Sequence, residues 1–565
     1  MGSGATETFL ASLRAIVGRA HLITSPWGVR PFCTAFRGGP ATALAVVRPG
    51  SLIELWRVLG ACIADGKIVI LQAANTGLTG GSTPVDGGYD RDVVLINTLR
   101  LARVFLVSGG RQAICLPGTT LYELERALAP LGREPHSVLG SSCFGASVIG
   151  GICNNSGGSL VRRGPAYTEM ALFAQVSESG VISLVNHLDV GLSEVPEEAL
   201  RQLERGKFQV SSAPRLARRG SDDGYARRIR QLAGALPARF NADTSRLFEA
   251  SGCAGKLAVF AVRVDTFPRD QETRVFYIGA RDPAVLTGIR RHVLQRFASL
   301  PISGEYIHRT AFDVAERFGK DIFLVIRHLG TPSIPTLWSM QQRFNELQRR
   351  VTGRSGAVFE RSLLGLAQLL PKHLPSRMRA YQDRFEHHLL LKMAGAGIVE
   401  AREYLRAVFP STAGEAFECT TQEANKAFLH RFVVAGAAKR LLDLQRSAVD
   451  DLVALDVAFR PDEEDWSAFV PESIRSQVHT AICYGHFFCH VFHLEYLVRR
   501  GADADLVGER LKQWLDGRGA RYPAEHNVGH LYRAPPQLIE FYRKLDPTNS
   551  FNPGIGQTSM RHGWR

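Results

Sequence analysis

A carboxylate stands beside an imidazole at Glu525-His526, within the stretch Tyr522-Pro523-Ala524-Glu525-His526-Asn527-Val528-Gly529-His530, where no periodic apolar face is available to bury them. A histidine in such a loop can take a hydroxyl proton near neutral pH, which is the demand when an alcohol gives up a hydride from the same carbon. His526 is therefore the candidate base. Upstream, His486 and His493 stand seven apart in Tyr484-Gly485-His486-Phe487-Phe488-Cys489-His490-Val491-Phe492-His493. With Glu525 they would make an open site for a divalent metal that polarises a hydroxy acid. Helical histidines at this interval also serve plain packing, and spacing alone leaves both readings open.

Two glycine-rich stretches supply a different chemistry. Gln72-Ala73-Ala74-Asn75-Thr76-Gly77-Leu78-Thr79-Gly80-Gly81-Ser82 follows the apolar run Lys67 to Leu71, and Gly140 to Gly151 follows the extended Pro135 to Leu139. Small residues let the main chain approach a pyrophosphate, and a nest of N–H donors neutralises it without a lysine. Ordinary turns are the competing reading. No G-x-G-x-x-G, Walker lysine loop, H-E-x-x-H or G-x-S-x-G elbow occurs, so the usual dinucleotide, nucleotide-hydrolysing, zincin and esterase readings lose support.

These groups need elements to position them. A chain of 565 residues is too long for one core and divides into several structural units. Ala43–Val47, a helix from Ser51 with a glutamate three residues on, and Ile68–Leu71 read as strand, helix, strand. Val93–Asn97, Ala113–Cys115 and a helix over Thr120–Ala129 continue the alternation, so the first quarter reads as one mixed sheet with short crossover helices. Residues 194–231 read as an excursion or surface loop. Strands return at Leu257–Val264 and Arg274–Ile278, a helix is expected over Pro283–Phe297, and about 420–515 reads as largely helical.

Nine scattered cysteines without C-x-x-C pairing fit a reducing compartment, not a disulfide framework or zinc ribbon. The N-terminus has no signal-peptide pattern, and no apolar run reaches the length of a spanning helix. The net charge of +14 is uneven. Arg343, Arg349, Arg350, Arg354, Arg361, Lys372, Arg377, Arg379 and Arg384 crowd one stretch, interleaved with Leu337, Trp338, Phe344, Leu366, Leu369 and Leu370. Such a segment suits an anionic lipid surface. A solvated helical face is the plainer alternative, and nucleic acid lacks any reading-head motif.

Gln72–Ser82, the block Gly132 to Ser159 and the ending Asn552-Pro553-Gly554 resemble the vanillyl-alcohol-oxidase type of FAD-binding flavoprotein. With Tyr522–His530 and Phe385–Lys392, nearly the whole chain is similar to the respiratory, quinone-dependent D-lactate dehydrogenases of bacteria. The resemblance implies an α+β protein: an FAD-binding domain of two α/β subdomains, an α+β cap domain and a basic helical membrane-binding region. In chain order these are residues 1–265 (FAD domain), 266–307 (cap), 308–384 (membrane-binding), 385–516 (cap, with a helical excursion near 423–446) and 517–565 (return to the FAD domain).

The same resemblance implies FAD held by Ala73, Ala74, Asn75, Thr76, Gly77, Gly81, Ser82, Gly140, Ser147, Gly157 and Val259, with Glu525 and His526 catalytic. His486, His493 and Glu525 match a metal site of broader 2-hydroxy-acid dehydrogenase relatives, although Asn527 replaces the usual glycine and Phe487–Phe492 lacks their Gly-Asp-Gly-Asn. A carboxylate substrate needs a cation, for which Arg384 or Lys392 is expected. The implied activity is oxidation of D-lactate to pyruvate with electrons passed to membrane quinone, by a peripheral enzyme on the cytoplasmic face of the inner membrane, docked on anionic phospholipid and without nucleic acid. Another FAD-linked 2-hydroxy-acid or sugar-acid dehydrogenase is the alternative on this fold, and a non-catalytic basic scaffold is the alternative of another class.

Overall fold

Local signals account for the first elements. Ser51 Oγ accepts from Glu54 N at 3.1 Å and the Glu54 carboxylate accepts from Gly50 N at 2.7 Å, which starts the helix Leu52–Ala64. Thr120 and Glu123 form a capping box on the helix Leu121–Leu128. The computed structural model describes residues 3–35, 41–136, 145–210, 218–330, 358–410 and 413–565.

Three main sheets form. The first joins β1 (Leu22–Ile23), β2 (Ala45–Val47), β3 (Ile68–Gln72) and β4 (Val93–Asn97) in the order β1-β2-β4-β3, with β2, β4 and β3 parallel. The second contains β5 (Val104–Val107), β6 (Gln112–Cys115), β7 (Arg133–Pro135), β8 (Ala171–Val176), β9 (Ile182–Asn186) and, beyond the small ribbon β10 (Val190–Gly191) with β11 (Gln209–Val210), β12 (Ala258–Pro268). Its pairings are antiparallel. The first quarter is thus split between two sheets where one mixed sheet was expected, because Ala113–Cys115 pairs with β5 and β12 and not with β4.

The third sheet has seven strands: β13 (Thr273–Ala280), β14 (Ser303–His308), β15 (His387–Ala394), β16 (Gly414–Glu418), β17 (Val449–Ala458), β18 (Val478–His486) and β19 (Val491–Arg499), ordered β16-β13-β15-β14-β18-β19-β17. The helices Pro283–Arg296, Ala396–Val408 and Ala504–Gly517 pack Leu286, Ile398 and Leu511 against Leu389 and Leu391 on one face. The helices Arg309–Phe318 and Thr421–Leu444 pack Phe312, Val433 and Val434 against Leu390 and Tyr484 on the other.

The largely helical reading of 420–515 is therefore corrected. One helix, Thr421–Leu444, opens that stretch, and β17, β18 and β19 follow, because nonpolar residues pack on both faces of the inner strands β18 and β19 and along the second half of the edge strand β17, which blurs the period-two signal. Of residues 194–231, 211–217 lie outside the described residues, and the expected surface loop is corrected at its start, where Ala199, Leu200 and Leu203 form the buried stripe of a helix at Pro196–Glu204. Of the basic segment, residues 331–357 lie outside the described residues, and the described part holds helices Val358–Leu369 and Ser376–Arg384. No helix among the described residues is long and apolar enough to cross a membrane.

The C-terminal residues return to the first sheet. Val69 N donates to Ser550 O and Asn552 N to Val69 O, both at 2.9 Å, and His530 N donates to Thr79 O at 2.9 Å. Residues 522–530 also reach the third sheet, where Ala524 N donates to Asp456 O at 3.0 Å. One short segment therefore touches both halves of the molecule.

Candidate functional site

Strand pairing brings distant acids and bases together. Glu305 on β14 lies directly opposite His486 on β18, and the β18–β19 hairpin pairs Tyr484 with His493. His486 and His493 are thus diagonal neighbours on one face of a hairpin, not members of a helix, His486 ending β18 and His493 standing third in β19. Their rings meet edge to face at 5.5 Å. Glu525 is then delivered from the C-terminal loop, so that His486, His493 and Glu525 place one ligand atom each within 4.8 Å of one another.

Each histidine is held from behind. His486 Nδ1 lies 2.7 Å from Glu305 Oε1 while its Nε2 faces Glu525 Oε2 at 3.2 Å. His493 Nδ1 lies 3.5 Å from Asp456 Oδ1 and its Nε2 3.9 Å from Glu525 Oε2. Carboxylates behind the outer ring nitrogens, with both inner nitrogens facing a third carboxylate, are what fixes imidazoles as metal ligands. The residues present therefore fit a divalent ion, with His486, His493 and Glu525 holding it.

The electrostatics follow from burial and pairing. Burial alone would lower the His486 imidazolium, but the Glu305 and Glu525 carboxylates outweigh it and raise its pKa to about 10. Burial would raise the Glu525 carboxyl, yet His486 and Arg239 hold it well below its ordinary range, and Arg239 also donates to it directly. Asp456 is raised by burial despite His526 beside it. Two carboxylates, Glu305 and Asp456, and two arginines, Arg239 and Arg431, surround the cluster, Arg431 Nε lying 3.0 Å from Glu305 Oε2.

His526 is more open to solvent than these groups, and its Nε2 lies 3.9 Å from Asp456 Oδ2. The same Asp456 oxygen accepts from Glu525 N at 2.6 Å and His526 N at 3.3 Å, so one carboxylate fixes the backbone of the Glu-His pair and stands near the imidazole.

The first glycine-rich loop is pinned by side chains. Gln72 Nε2 donates to Phe32 O and Ser82 O, Asn75 Nδ2 donates to Thr34 O at 3.0 Å, and Ser82 Oγ donates to Asn75 Oδ1 at 2.9 Å. Among the described residues, the amides from Ala73 to Ser82 find no protein acceptor. Asn75 at φ 53° and Gly80 at φ 71° bend this stretch, and a side chain on Gly77 would meet nothing within 4 Å. A row of amides without partners beside open space fits a pyrophosphate.

The other residues expected at the cofactor stand as follows. Ser147 caps the helix Val148–Cys153, accepting from Gly150 N at 3.0 Å. Val259 sits where β12 shifts register against β8. Gly157 N donates to Glu525 O at 3.1 Å, and a Cβ there would stand 2.8 Å from Glu525 Cγ, so glycine permits the Glu525-His526 loop to approach. Gly140 lies outside the described residues.

The two expected substrate cations part company. Arg384 pairs with Glu415 on the edge strand β16, exposed and four strands from β18, so the structure does not bring it to the cluster. Lys392 on β15 pairs with Ser303, two residues from Glu305, and shares its face of the sheet. Burial lowers its pKa, and its ammonium lies 5.9 Å from the Phe428 ring centre. Glu305, Asp456, Arg239 and Arg431 were not foreseen. The one available signal was their occurrence as charged residues within otherwise apolar runs, such as Val453-Ala454-Leu455-Asp456-Val457.

Residues 43–176 match the FAD binding domain model, and residues 275–564 match the family model described as D-lactate dehydrogenase, membrane binding. The quinone-dependent D-lactate dehydrogenase of Escherichia coli (strain K12) is 52% identical over 99% of this chain and 98% of its own length. That of Haemophilus influenzae is 50% identical over 99% of each. Among solved structures, p-cresol methylhydroxylase with substrate bound superposes with a TM-score of 0.61 at 13% identity, covering 99% of this chain and 98% of that one, a likeness of fold alone. The fold is the vanillyl-alcohol-oxidase type, the cofactor is FAD, and the chain is membrane-associated. With half of its length matched by the family model and relatives this similar from end to end, the chain belongs to the quinone-dependent D-lactate dehydrogenase family.

Proposed function

We infer that the chain oxidises D-lactate to pyruvate and delivers the electrons to membrane quinone, with His526 as the base. The observation that carries the site assignment is the Gly157 amide on the Glu525 carbonyl, which joins the FAD-binding half to the Glu525-His526 pair. FAD, when bound, supplies the acceptor for the hydride that leaves the lactate α-carbon. His526 takes the hydroxyl proton, and the Asp456 carboxylate stabilises the imidazolium that results. Lys392 meets the substrate carboxylate, and the mostly buried walls around His486 and Glu305 keep water from it.

His486, His493 and Glu525 would hold a divalent ion, which would supply a Lewis acid for the substrate hydroxyl; the opposed carboxylates behind both imidazoles support this. The protein docks peripherally on anionic phospholipid at the cytoplasmic face through residues 308–384, and residues 1–265 with 517–565 make the FAD domain around a cap of 266–307 and 385–516. Lysines and arginines in the first of these, against few acids, support the lipid reading.

The test is spectroscopic. The oxidised, yellow protein is mixed anaerobically with D-lactate, L-lactate, glycolate and D-2-hydroxyglutarate in turn. Rapid bleaching by D-lactate alone is expected; preferential bleaching by another acid would reassign the substrate.

A further inference from the structure

An open cavity lies away from the Glu525 cluster. It measures about 790 Å³ and is walled by the helices Arg309–Phe318 and Val358–Leu369, by the start of Lys320–Leu329 and by the end of Thr421–Leu444. Four cations line it, Arg317, Lys320, Arg361 and Lys372, against one carboxylate, Glu316, which accepts from Gln382 Nε2 at 3.0 Å. Lys320 Nζ donates to Leu370 O at 2.7 Å, tying the cavity floor to the end of the Val358–Leu369 helix. Among the described residues, Arg361 and Lys372 have no carboxylate partner.

His373 also lines the cavity. It is 4% exposed, and its Nε2 is buried without a hydrogen-bond partner. Burial, reinforced by Lys320, Lys426, Arg327 and Arg379, lowers its pKa to about 4. The same helix divides its residues by face. Arg361, Leu364, Gly365 and Gln368 face the cavity, whereas Leu366, Leu369 and the adjoining Leu370 are 63%, 83% and 52% exposed. A polar, cationic hollow beside a stripe of uncovered leucines suits an amphiphile with a small anionic head.

We propose that this cavity is a headgroup site that takes the phosphodiester of an anionic phospholipid, with the acyl chains lying along Leu366, Leu369 and Leu370. The proposal rests on the anionic-surface reading above and gives it a discrete address. Quinone is disfavoured as the occupant, because Arg431 at the Glu525 cluster and Leu444 at the cavity are thirteen residues apart on one helix, about 20 Å along its axis. A free phosphate would use the cations and leave the leucines uncovered.

The full-length holoenzyme is titrated with monomeric dihexanoyl-phosphatidylglycerol, followed by 31P NMR line broadening, and separately with phosphatidylcholine vesicles containing phosphatidylglycerol. Saturable one-to-one broadening is expected, lost in the double variant Arg361→Gln/Lys372→Gln. The same variant should bind the vesicles about 30-fold more weakly, the effect of two cations near the surface, while Arg500→Gln, a single-charge control, changes binding far less. Unfolding midpoints of the variants, compared with the parent, establish that they fold. Vesicle binding by the parent without binding of the monomeric lipid would overturn the discrete site and leave the anionic-surface reading standing. Failure of the parent on anionic vesicles would overturn both. Inorganic phosphate competing as well as the lipid would make the cavity a free-phosphate site and overturn the proposal.

Discussion

Glu525 is held on both sides: one carboxylate oxygen is bound by Arg239 and the other faces His486 Nε2 at 3.2 Å. Arg239 also donates to Gly158 O at 2.9 Å, so the arginine that fixes Glu525 is itself anchored in the segment that carries Gly157. Glu525 thus has little rotational freedom left, and the geometry of its loop is set before any ligand arrives.

Replacing His526 with Gln should slow flavin reduction by D-lactate by about 10²–10⁴-fold, the usual range for a lost acid–base group. Bound FAD should remain, seen as an unaltered visible spectrum. Stopped-flow rates equal to those of the parent would dismiss this histidine as base.

Metal should follow the carboxylates behind the imidazoles. Glu305→Gln removes the partner of His486 Nδ1 and should lower affinity for a divalent ion by about 10–100-fold. His493→Ala should lose the ion from the purified protein. Elemental analysis after dialysis against a chelator checks both, and a parent protein that never retains metal would end the assignment.

Lys392→Met should raise KM for D-lactate by roughly 10–100-fold, the loss of a charge-assisted hydrogen bond of about 1.5–3 kcal/mol. Arg384→Met should leave KM unchanged, since its charge is engaged with Glu415 at the far edge of the sheet. The opposite ranking in steady-state kinetics would restore Arg384.

Lys256 is fully buried, with its Nζ 2.7 Å from Asn549 Oδ1 and 4.4 Å from the Trp564 ring centre. Burial pushes its pKa down to about 7, against about 10.4 for an unfolded lysine. Between those values the unfolded chain binds the extra proton, so burying this lysine costs stability, and the cost shrinks as pH rises, with a limiting slope of about 1.4 kcal/mol per unit. Urea unfolding at pH 7, 8 and 9 should show the parent gaining on Lys256→Met. A constant difference between the two would refute it.

Gly529 has φ 53°, and a Cβ there would overlap Thr79 backbone and side chain. Gly529→Ala should therefore displace the Thr79 turn and weaken FAD retention, at a cost of about 1–3 kcal/mol for the backbone conformation alone. Flavin release during thermal ramps is the readout, and release at the parent's temperature would count against the coupling.

Legibility in sequence tracked the distance over which each interaction acts. Capping residues such as Ser51 and Thr120 act over one turn, and the helices they start lie where their patterns placed them. The loop Gln72–Ser82 was readable for the same reason. The relation of His486 to His493 was visible only as a spacing, and its β-hairpin was obscured by the nonpolar residues that fill the interval. Glu305 reaches His486 across 181 residues and Arg239 reaches Glu525 across 286, pairings that no local pattern encodes. Arg384 was misplaced because it stands in a run of basic residues, and a charge run on an exposed helix end finds carboxylates at the surface.

Asn552 Nδ2 donates to Gly81 O across 471 residues, which joins an early and a late segment of the polypeptide directly at the first glycine-rich loop. On a ribosome adding about 5–20 residues per second, the later segment emerges roughly half a minute to a minute and a half after the earlier one. During that interval the glycine-rich loop lacks its C-terminal partner, while most of the stretch matched by the membrane-binding family model has already left the exit tunnel. Attachment to the bilayer can therefore precede cofactor capture during biosynthesis.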